Sequence, residues 1–210
     1  MMCTRNPTVI IANGEPPVHA EALQRLRSAQ ILVCCDGAIA ILDKLGLMPS
    51  VVVGDMDSIT PGVATRFGHC LQMDTNPNYN DLTKALRYCL SRDLREVTIL
   101  GATGLREDHT LGNIGVMLQY AKEYKMKLEM LTNHGIFTPA FQSITLPSFQ
   151  GQQVSVFSIT SHTLLSYKGL KYPVLSRTFH YWSEGCLNEA LSDEFSVLFE
   201  DGEVLIFRMF

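Results

Sequence analysis

Apolar positions follow two different patterns in the two halves of the chain. Up to about residue 132, short continuous apolar runs alternate with segments in which apolar residues recur at helical spacing. The continuous runs cover residues 8–12, 31–35, 51–53, 97–100 and 127–131. Strands that are buried on both faces have such continuous runs, and their alternation with helices is typical of α/β proteins. We therefore predict a mostly parallel sheet with helices covering both faces.

The helical patterns lie between these predicted strands. They cover residues 18–29, a segment that begins near residue 38, residues 82–90, and a segment from about residue 110 to residue 123. Gly46 follows the second of these segments. Because glycine often closes a helix, we expect that helix to end there.

After about residue 135 the apolar runs become shorter, and glycine or proline separates them. Predicted strands cover residues 141–146, 153–159, 164–167, 178–182, 195–199 and 204–207. This pattern is typical of a small antiparallel β-sandwich or barrel. We place the boundary between the two predicted domains at residues 134 and 135, which gives domains 1–134 and 135–210.

The composition narrows the possible partners. The net charge is −4 and the sequence contains no run of Lys and Arg, which argues against a nucleic-acid partner. The apolar runs are too short to span a bilayer, and the N-terminus lacks the apolar stretch of a secretory signal. None of the six cysteines forms a Cys-x-x-Cys pair, and the adjacent Cys34 and Cys35 are interpreted as small core residues. We expect no membrane association and a cytoplasmic, reduced location.

Four acidic or glycine-rich segments fall beside predicted strands or helices. They are Asp36-Gly37 and the stretches 54–58, 74–81 and 101–109. Ligands of open α/β sheets bind beyond the carboxyl ends of the strands. We therefore expect these segments, although distant in sequence, to converge on one edge of the sheet.

Asp55 and Asp57 are candidate metal ligands. In an extended chain, residues i and i+2 point the same way, with Cα atoms about 6.6 Å apart. Two carboxylates placed in this way suit Mg²⁺, which takes oxygen ligands and combines one or two carboxylates with substrate phosphates. The alternative interpretation is that these residues only cap turns and helices. Four acidic segments on one edge favour the metal site.

The segment after residues 97–100 is a candidate phosphate site. Gly101 and Gly104 can bring backbone N–H groups close to a phosphate just before a helix begins. The spacing is neither that of a P-loop nor that of a dinucleotide-binding fingerprint. Arg106 either pairs with a phosphate oxygen or is a solvated surface residue. His109 is either a proton shuttle or a residue that orders the loop.

Seven segments, in order along nearly the whole chain, resemble motifs of the thiamine pyrophosphokinase family. They are Ala12-Asn13-Gly14-Glu15-Pro16, Cys35-Asp36-Gly37-Ala38, residues 49–58 with Gly54-Asp55-Met56-Asp57-Ser58, Asn80-Asp81-Leu82-Thr83-Lys84-Ala85-Leu86, residues 100–111, Lys168-Gly169-Leu170-Lys171-Tyr172-Pro173, and Leu191-Ser192-Asp193-Glu194-Phe195. Each match is modest alone, but the ordered set is specific.

The resemblance implies a fold, a reaction and an assembly. The fold is an α/β domain followed by an antiparallel β-sandwich. The reaction transfers pyrophosphate from ATP to the hydroxyethyl group of thiamine, with Mg²⁺ as cofactor, and gives thiamine diphosphate and AMP. The assembly is a homodimer whose active sites are shared between subunits. The alternatives are a catalytically inactive protein that binds thiamine or nucleotide, and a pyrophosphokinase for another alcohol such as a pterin.

The resemblance also implies roles for particular residues. The nucleotide-binding candidates are Asp36, Gly37, Gly101, Thr103, Gly104, Arg106 and His109. The metal candidates are Asp55, Asp57 and Asp81, and the candidates for the catalytic base are Asp81 and Asp108. On the thiamine side the candidates are Ser192, Asp193 and Trp182. Trp182 either stacks on thiamine or packs in the core.

The chain departs from the family pattern at four positions. Asn76 and Asn78 stand where the family often has an Asp-x-Asp pair, which removes two negative charges and is expected to weaken or rearrange one metal position. Leu105 replaces a glycine and is expected to restrict a positive φ there. Asp193 replaces an asparagine, and a carboxylate there is compatible with the cationic thiazolium ring.

Overall fold

The computed structural model describes residues 7–210, so that Cys3 lies outside the described residues. The contacts divide the chain into two compact units between Asn133 and His134. None of the helices in the described part of the chain has the length and apolar character needed to cross a membrane.

The first unit alternates strands and helices. Its strands are β1 (Thr8–Ile11), β2 (Ile31–Cys35), β3 (Val51–Gly54), β4 (Leu71–Met73), β5 (Glu96–Leu100) and β6 (Lys127–Leu131). Its helices are α1 (Ala20–Ser28), α2 (Ile39–Leu45), α3 (Pro61–Phe67), α4 (Asp81–Ser91) and α5 (Glu107–Glu123), with short 3₁₀ turns at Asp36–Ala38 and Gly68–Cys70. The strands form one sheet in the order β6-β5-β1-β2-β3-β4, and every neighbouring pair is parallel. The predicted α/β fold with a mostly parallel sheet is confirmed.

Burial explains why the apolar pattern identified the inner strands. All four residues of β1 and of β3 are buried, as expected for strands covered on both faces. Cys34 and Cys35 on β2 are fully buried free thiols, which confirms them as core residues. Helix α2 ends at Gly46, whose φ of 68° lies in the left-handed region.

Two elements of this unit have no counterpart in the predictions. Helix α3 begins with Pro61, and the side chain of Thr60 accepts a hydrogen bond from the Val63 N–H. Apart from Phe67 its residues are not buried, so its sequence has no long apolar stripe. Strand β4 lies at the edge of the sheet and exposes Gln72 and Met73. An edge strand needs no continuous apolar run, which is why the pattern did not reveal it.

The second unit is a β-sandwich. Its strands are β7 (Gly135–Ala140), β8 (Ile144–Pro147), β9 (Gln153–Ser158), β10 (Ser166–Lys168), β11 (Asn188–Glu189), β12 (Glu194–Leu198) and β13 (Val204–Met209). One antiparallel sheet has the order β11-β9-β13-β7, and a second has the order β10-β12-β8. Both sheets contribute to one apolar cluster, which includes Val154, Val156, Val204 and Ile206 from the first and Leu146, Phe195 and Val197 from the second. The predicted antiparallel sandwich is confirmed.

One predicted strand of this unit is wrong, and another begins later than predicted. Residues 178–182 form no strand, and Trp182 begins a 3₁₀ turn. The physical reason is that the Glu184 carboxylate accepts hydrogen bonds from the backbone N–H groups of His180 (2.6 Å) and Tyr181 (2.9 Å), which replace a sheet ladder. The strand predicted at 141–146 begins only at Ile144, because residues 141–143 form the bend that precedes β8. In this bend Ser143 Oγ donates to the Phe199 carbonyl and accepts from the Phe199 N–H.

Candidate active site

The loops after β1 and β5 lie side by side at the carboxyl edge of the first unit's sheet. The Gly14 N–H donates to the Gly101 carbonyl (2.6 Å), and the Glu15 N–H donates to the Thr103 carbonyl (2.8 Å). Gly101 has a φ of 63°, and a Cβ there would lie 2.5 Å from the Ala12 carbonyl oxygen. Only glycine permits this close approach. The chain order reverses between β1 and β5, which is the position where open α/β sheets bind ligands.

A cleft of about 370 Å³ opens beside these loops. It is lined by residues from the ends of β1, β2, β3 and β5 and from the first turns of α4 and α5. Among the predicted site residues, those that line it are Asp55, Asp81, Thr103, Arg106 and His109. Residues from the stretches 54–58, 74–81 and 101–109 therefore meet at one edge of the sheet, as expected.

Three carboxylates form a compact group beside this cleft. Oxygen atoms of Asp36, Asp55 and Asp57 all lie within 4.8 Å of one another. Asp36 is buried and accepts hydrogen bonds from the N–H groups of Gly37 (2.6 Å) and Met56 (2.9 Å). The resemblance implied a nucleotide-binding role for Asp36. In the structure its carboxylate lies instead beside those of the metal candidates Asp55 and Asp57.

The geometry expected for Asp55 and Asp57 is wrong in detail. The segment is a turn rather than an extended strand, because Met56 has a φ of 69°. The Asp57 N–H donates to Asp55 Oδ1 (3.3 Å), and Ser58 Oγ donates to Asp57 Oδ1 (3.0 Å). The turn brings the two carboxylates together and also aims the Met56 N–H at Asp36.

The trio is electrostatically uneven. Burial, and then the charge of Asp81, raise the pKa of Asp36, although its two backbone hydrogen bonds oppose this shift. The pKa of Asp55 is lowered, first by the hydrogen bond from the Asp57 N–H and then by the neighbouring charge of Lys84. The trio therefore combines one buried carboxylate that resists ionisation with one that ionises readily.

Lys84 is a site residue that the sequence reasoning did not assign. Its Nζ lies 3.2 Å from Asp81 Oδ1 and 3.4 Å from Asp55 Oδ2, and its side chain is only 4% exposed. Burial alone would lower the pKa of Lys84, but the hydrogen bond and charge of Asp81, with those of Asp55, raise it. The sequence did contain a signal for the pairing of Lys84. It lies among the buried positions of α4, and lysine is almost never fully buried unless it is paired.

The donor set fits a hard divalent cation. The trio offers carboxylate oxygens alone, and neither histidine nor cysteine belongs to it. Oxygen donors of this kind suit Mg²⁺ rather than zinc. Asp81 is paired with Lys84, so its role as a metal ligand stays a prediction.

Two asparagines connect the acidic side of the cleft to the glycine loop. Asn80 caps α4, where its Oδ1 accepts from the Thr83 N–H (2.9 Å), and its Nδ2 donates to Asn113 Oδ1 (3.1 Å). Asn113 Nδ2 in turn donates to the Ala102 carbonyl (2.8 Å). Helical periodicity is read from apolar residues, so it gave no signal for the polar Asn113 within α5.

Arg106 and Asp108 form an exposed ion pair. Arg106 donates to both carboxylate oxygens of Asp108, at 3.1 and 2.6 Å. The hydrogen bond from Arg106 lowers the pKa of Asp108 to about 2. His109 also donates its backbone N–H to Asp108 (2.9 Å). A carboxylate with so low a pKa is a weak proton acceptor, which favours Asp81 over Asp108 as the candidate base.

Comparison with known proteins decides the family. Residues 22–130 match the catalytic domain of thiamin pyrophosphokinase, and residues 135–207 match the substrate-binding domain of the same enzyme. The chain belongs to the thiamin pyrophosphokinase family.

Relatives and solved structures agree with this membership. Thiamine pyrophosphokinase of Bacillus subtilis (strain 168) is 29% identical over 182 residues, which cover 82% of this chain and 83% of that protein. A rice protein, thiamine pyrophosphokinase 1 of Oryza sativa subsp. japonica, is 28% identical over 138 residues, which cover 54% of this chain and 52% of that protein. The crystal structure of the Bacillus subtilis enzyme superposes with a TM-score of 0.81 at 21% identity, covering 97% of this chain and 98% of that one. The yeast structure gives 0.82 at 16% identity, covering 99% and 87%. These superpositions support the fold.

The thiamine-side candidates lie on the second unit and are exposed. Trp182 is 49% exposed, and its ring lies 5.9 Å from that of Phe157. It therefore packs on the surface of the sandwich rather than in the core cluster. Ser192 and Asp193 precede β12, where their carbonyls accept hydrogen bonds from Ser148 Oγ (2.7 Å) and the Ser148 N–H (2.8 Å). The backbone of this loop is held, and its side chains face solvent.

The departures from the family pattern have structural outcomes. Leu105 does not have a positive φ, so the expected restriction has no consequence there. The left-handed residues of the loop are Gly101 and Gly104, with φ of 63° and 93°. Leu105 is exposed and lines the cleft. The Asn76 N–H donates to Asp74 Oδ1 (3.1 Å) and the Asn78 N–H donates to Asn76 Oδ1 (3.0 Å). Asp74 and Asn76 thus form consecutive side-chain turns that shape the approach to α4.

Proposed function

We propose that this chain transfers the pyrophosphoryl group of ATP to the hydroxyethyl oxygen of thiamine, releasing AMP. The observation that carries the proposal is the carboxylate trio beside a glycine loop, in a chain whose two halves match the two domains of one family. In the reaction a bond forms between the thiamine oxygen and the β-phosphorus. The bond from that phosphorus to the α,β-bridging oxygen breaks, and AMP keeps the electron pair.

The cleft supplies separate groups for each demand of this chemistry. The loop with Gly101 and Gly104 offers backbone N–H groups to the phosphates, and we assign Thr103, Arg106 and His109 to the same subsite. We assign Asp55 and Asp57 to Mg²⁺, with Asp36 as the third oxygen donor, as their proximity supports. Mg²⁺, when bound, offsets the charge of the transferring phosphates.

We assign the proton acceptor to Asp81. It lines the cleft and is held by Lys84, and its carboxylate is not engaged by an arginine as that of Asp108 is. Phosphoryl-type transfer depends mainly on positioning and electrostatics, so a modest base is sufficient.

We further propose a homodimer in which thiamine lies at an active site shared between subunits, with Ser192, Asp193 and Trp182 on the thiamine side. The support is a dense set of exposed apolar side chains between residues 172 and 191 of the second unit. They are Tyr172, Leu175, Tyr181, Trp182, Leu187 and Leu191. Large apolar side chains that are exposed together are typical of interaction sites.

The deciding experiment identifies the nucleotide product. The protein is incubated with thiamine, ATP and Mg²⁺, and AMP, ADP and thiamine phosphates are separated by chromatography. We expect AMP and thiamine diphosphate in equal amounts. Formation of ADP with thiamine monophosphate would contradict pyrophosphoryl transfer. Turnover of a pterin alcohol but not of thiamine would contradict the substrate, and binding without turnover would contradict enzymatic activity.

A further inference from the structure

The buried ammonium of Lys84 holds Asp81 in the reaction as described above, but its contact with Asp55 has no function there. It lies on the buried side of α4 between Thr83 and Ala85, which are also buried. Its described hydrogen-bond acceptors are Asp55 Oδ2 and Asp81 Oδ1. Burying a charged lysine costs free energy. The negative charges of both carboxylates are needed to offset this cost.

Asp55 belongs to two arrangements at once. One oxygen faces Lys84, while the residue is also a member of the carboxylate trio. A divalent cation that binds the trio must therefore enter beside a fixed positive charge. Like charges a few ångströms apart repel, and partial burial strengthens this repulsion relative to water.

We infer that Lys84 is a positioning residue that acts as an internal counter-cation of the carboxylates that form the proposed metal site. It holds Asp55 and Asp81 together while no metal is bound, and it weakens the binding of a divalent cation that arrives alone. A cation that arrives with a triphosphate brings compensating negative charge, so the repulsion is offset. Lys84 thereby couples metal binding to nucleotide binding. This inference rests on the metal site of the proposed function.

The sign of the effect separates this role from a merely structural one. If Lys84 only supported the fold, its removal would loosen the site and weaken metal binding. If it is a counter-cation, Lys84→Met must tighten the binding of metal alone. We expect the Kd for Mn²⁺ without nucleotide to fall by about tenfold, an order of magnitude set by one screened unit charge at this range. The gain in Mn²⁺ affinity that a non-hydrolysable ATP analogue produces should shrink by a similar factor.

The test titrates Mn²⁺ into the wild type and the variants, with electron paramagnetic resonance as the readout, with and without α,β-methylene ATP. Lys127→Met is the matched control, because Lys127 makes an exposed pair with Glu96 (2.7 Å) at the start of β6, at the amino ends of the strands. It removes the same charge from the same unit, and its Kd should equal that of the wild type. Circular dichroism and melting verify the fold, and Lys84→Gln replaces the Met variant if that one does not fold.

Two results would overturn the inference, and only the second would also contradict the proposed metal site. If the wild type binds Mn²⁺ but the folded Lys84 variants bind it equally well or more weakly, only the role of Lys84 is wrong. If the wild type binds no Mn²⁺ even with the nucleotide analogue, the proposed metal site fails and the inference fails with it.

Discussion

Replacement of Gly54 by alanine tests how the buried carboxylate of the trio is held. A Cβ at position 54 would lie 2.4 Å from Asp36 Cγ and 2.5 Å from Asp36 Oδ2. Asp36 cannot move freely, because it is buried and accepts hydrogen bonds from Gly37 and Met56. The methyl group must therefore displace the carboxylate from at least one of these donors.

The expected cost has two parts. Forcing a methyl group into a packed site costs about 1–3 kcal/mol, and losing a hydrogen bond to a charged group costs roughly 1.5–3 kcal/mol. Together they give about 2.5–6 kcal/mol, and at about 2–4 °C for each kcal/mol the melting temperature should fall by roughly 5–24 °C. Affinity for Mn²⁺ should fall as well, because Asp36 leaves the trio.

The assay is thermal unfolding followed by circular dichroism, together with Mn²⁺ titration. Gly62→Ala is the control, since a Cβ at that position of α3 meets nothing within 4 Å and alanine favours a helix. In an Asp36→Ala background the two nearest atoms are absent, so Gly54→Ala should cost less. If Gly54→Ala melts at the same temperature as Gly62→Ala, the close packing of Asp36 against Gly54 does not hold in solution.

Three further predictions concern charge and assembly. Asp55→Asn and Asp57→Asn should each abolish most turnover in a coupled AMP assay. The metal-free melting temperature should stay level or rise for Asp57→Asn, which relieves repulsion among carboxylates, and should fall for Asp55→Asn, which removes one of the two partners of the buried Lys84 ammonium. Arg106→Ala should raise the pKa of Asp108 from about 2 toward 3.8 in a carboxyl NMR titration. Since that pKa is depressed in the folded state, the pair stabilises the fold above pH ~4 and this stabilisation is lost as the pH falls toward ~2. Mixing Asp55→Asn with Ser192→Trp subunits should restore activity, because exchange creates hybrid dimers with one intact site.

Each of these predictions has an outcome that contradicts it. Near-normal turnover of the Asp55 and Asp57 variants at saturating Mg²⁺ would make the acidic edge structural. An unchanged pKa of Asp108 would show that Arg106 does not pair with it in solution. A mixture that stays inactive after proven subunit exchange, or an active monomer in sedimentation, would rule out the shared site.

The sequence sufficed where burial alone decides the structure. Continuous apolar runs such as residues 31–35 identify strands that are covered on both faces, and the position of acids directly after such runs placed Asp36 and Asp55 at one edge. It did not suffice where a side chain replaces the regular backbone pattern. Glu184 captures two N–H groups and prevents the predicted strand at residues 178–182, although that segment has the composition of a strand.

Long-range pairing was the second gap. Lys84 and Asp81 are three residues apart on one helix and could have been paired from the sequence, but Asp55 is 29 residues away and meets Lys84 only through the order of the strands. The turn at Met56 was equally hidden, because a methionine with positive φ has no local signature.

The acidic edge is arranged to keep its shape without a cation. Each carboxylate has its own fixed donor: two backbone N–H groups for Asp36, the Asp57 N–H for Asp55, Ser58 for Asp57, and Lys84 for Asp81. Four acids brought together without such donors would repel one another and spread apart, and a ligand would then spend binding energy on ordering them. Because backbone donors cannot be removed by side-chain mutation, Gly54, which permits the close approach of Asp36, should be as sensitive to substitution as the carboxylates themselves.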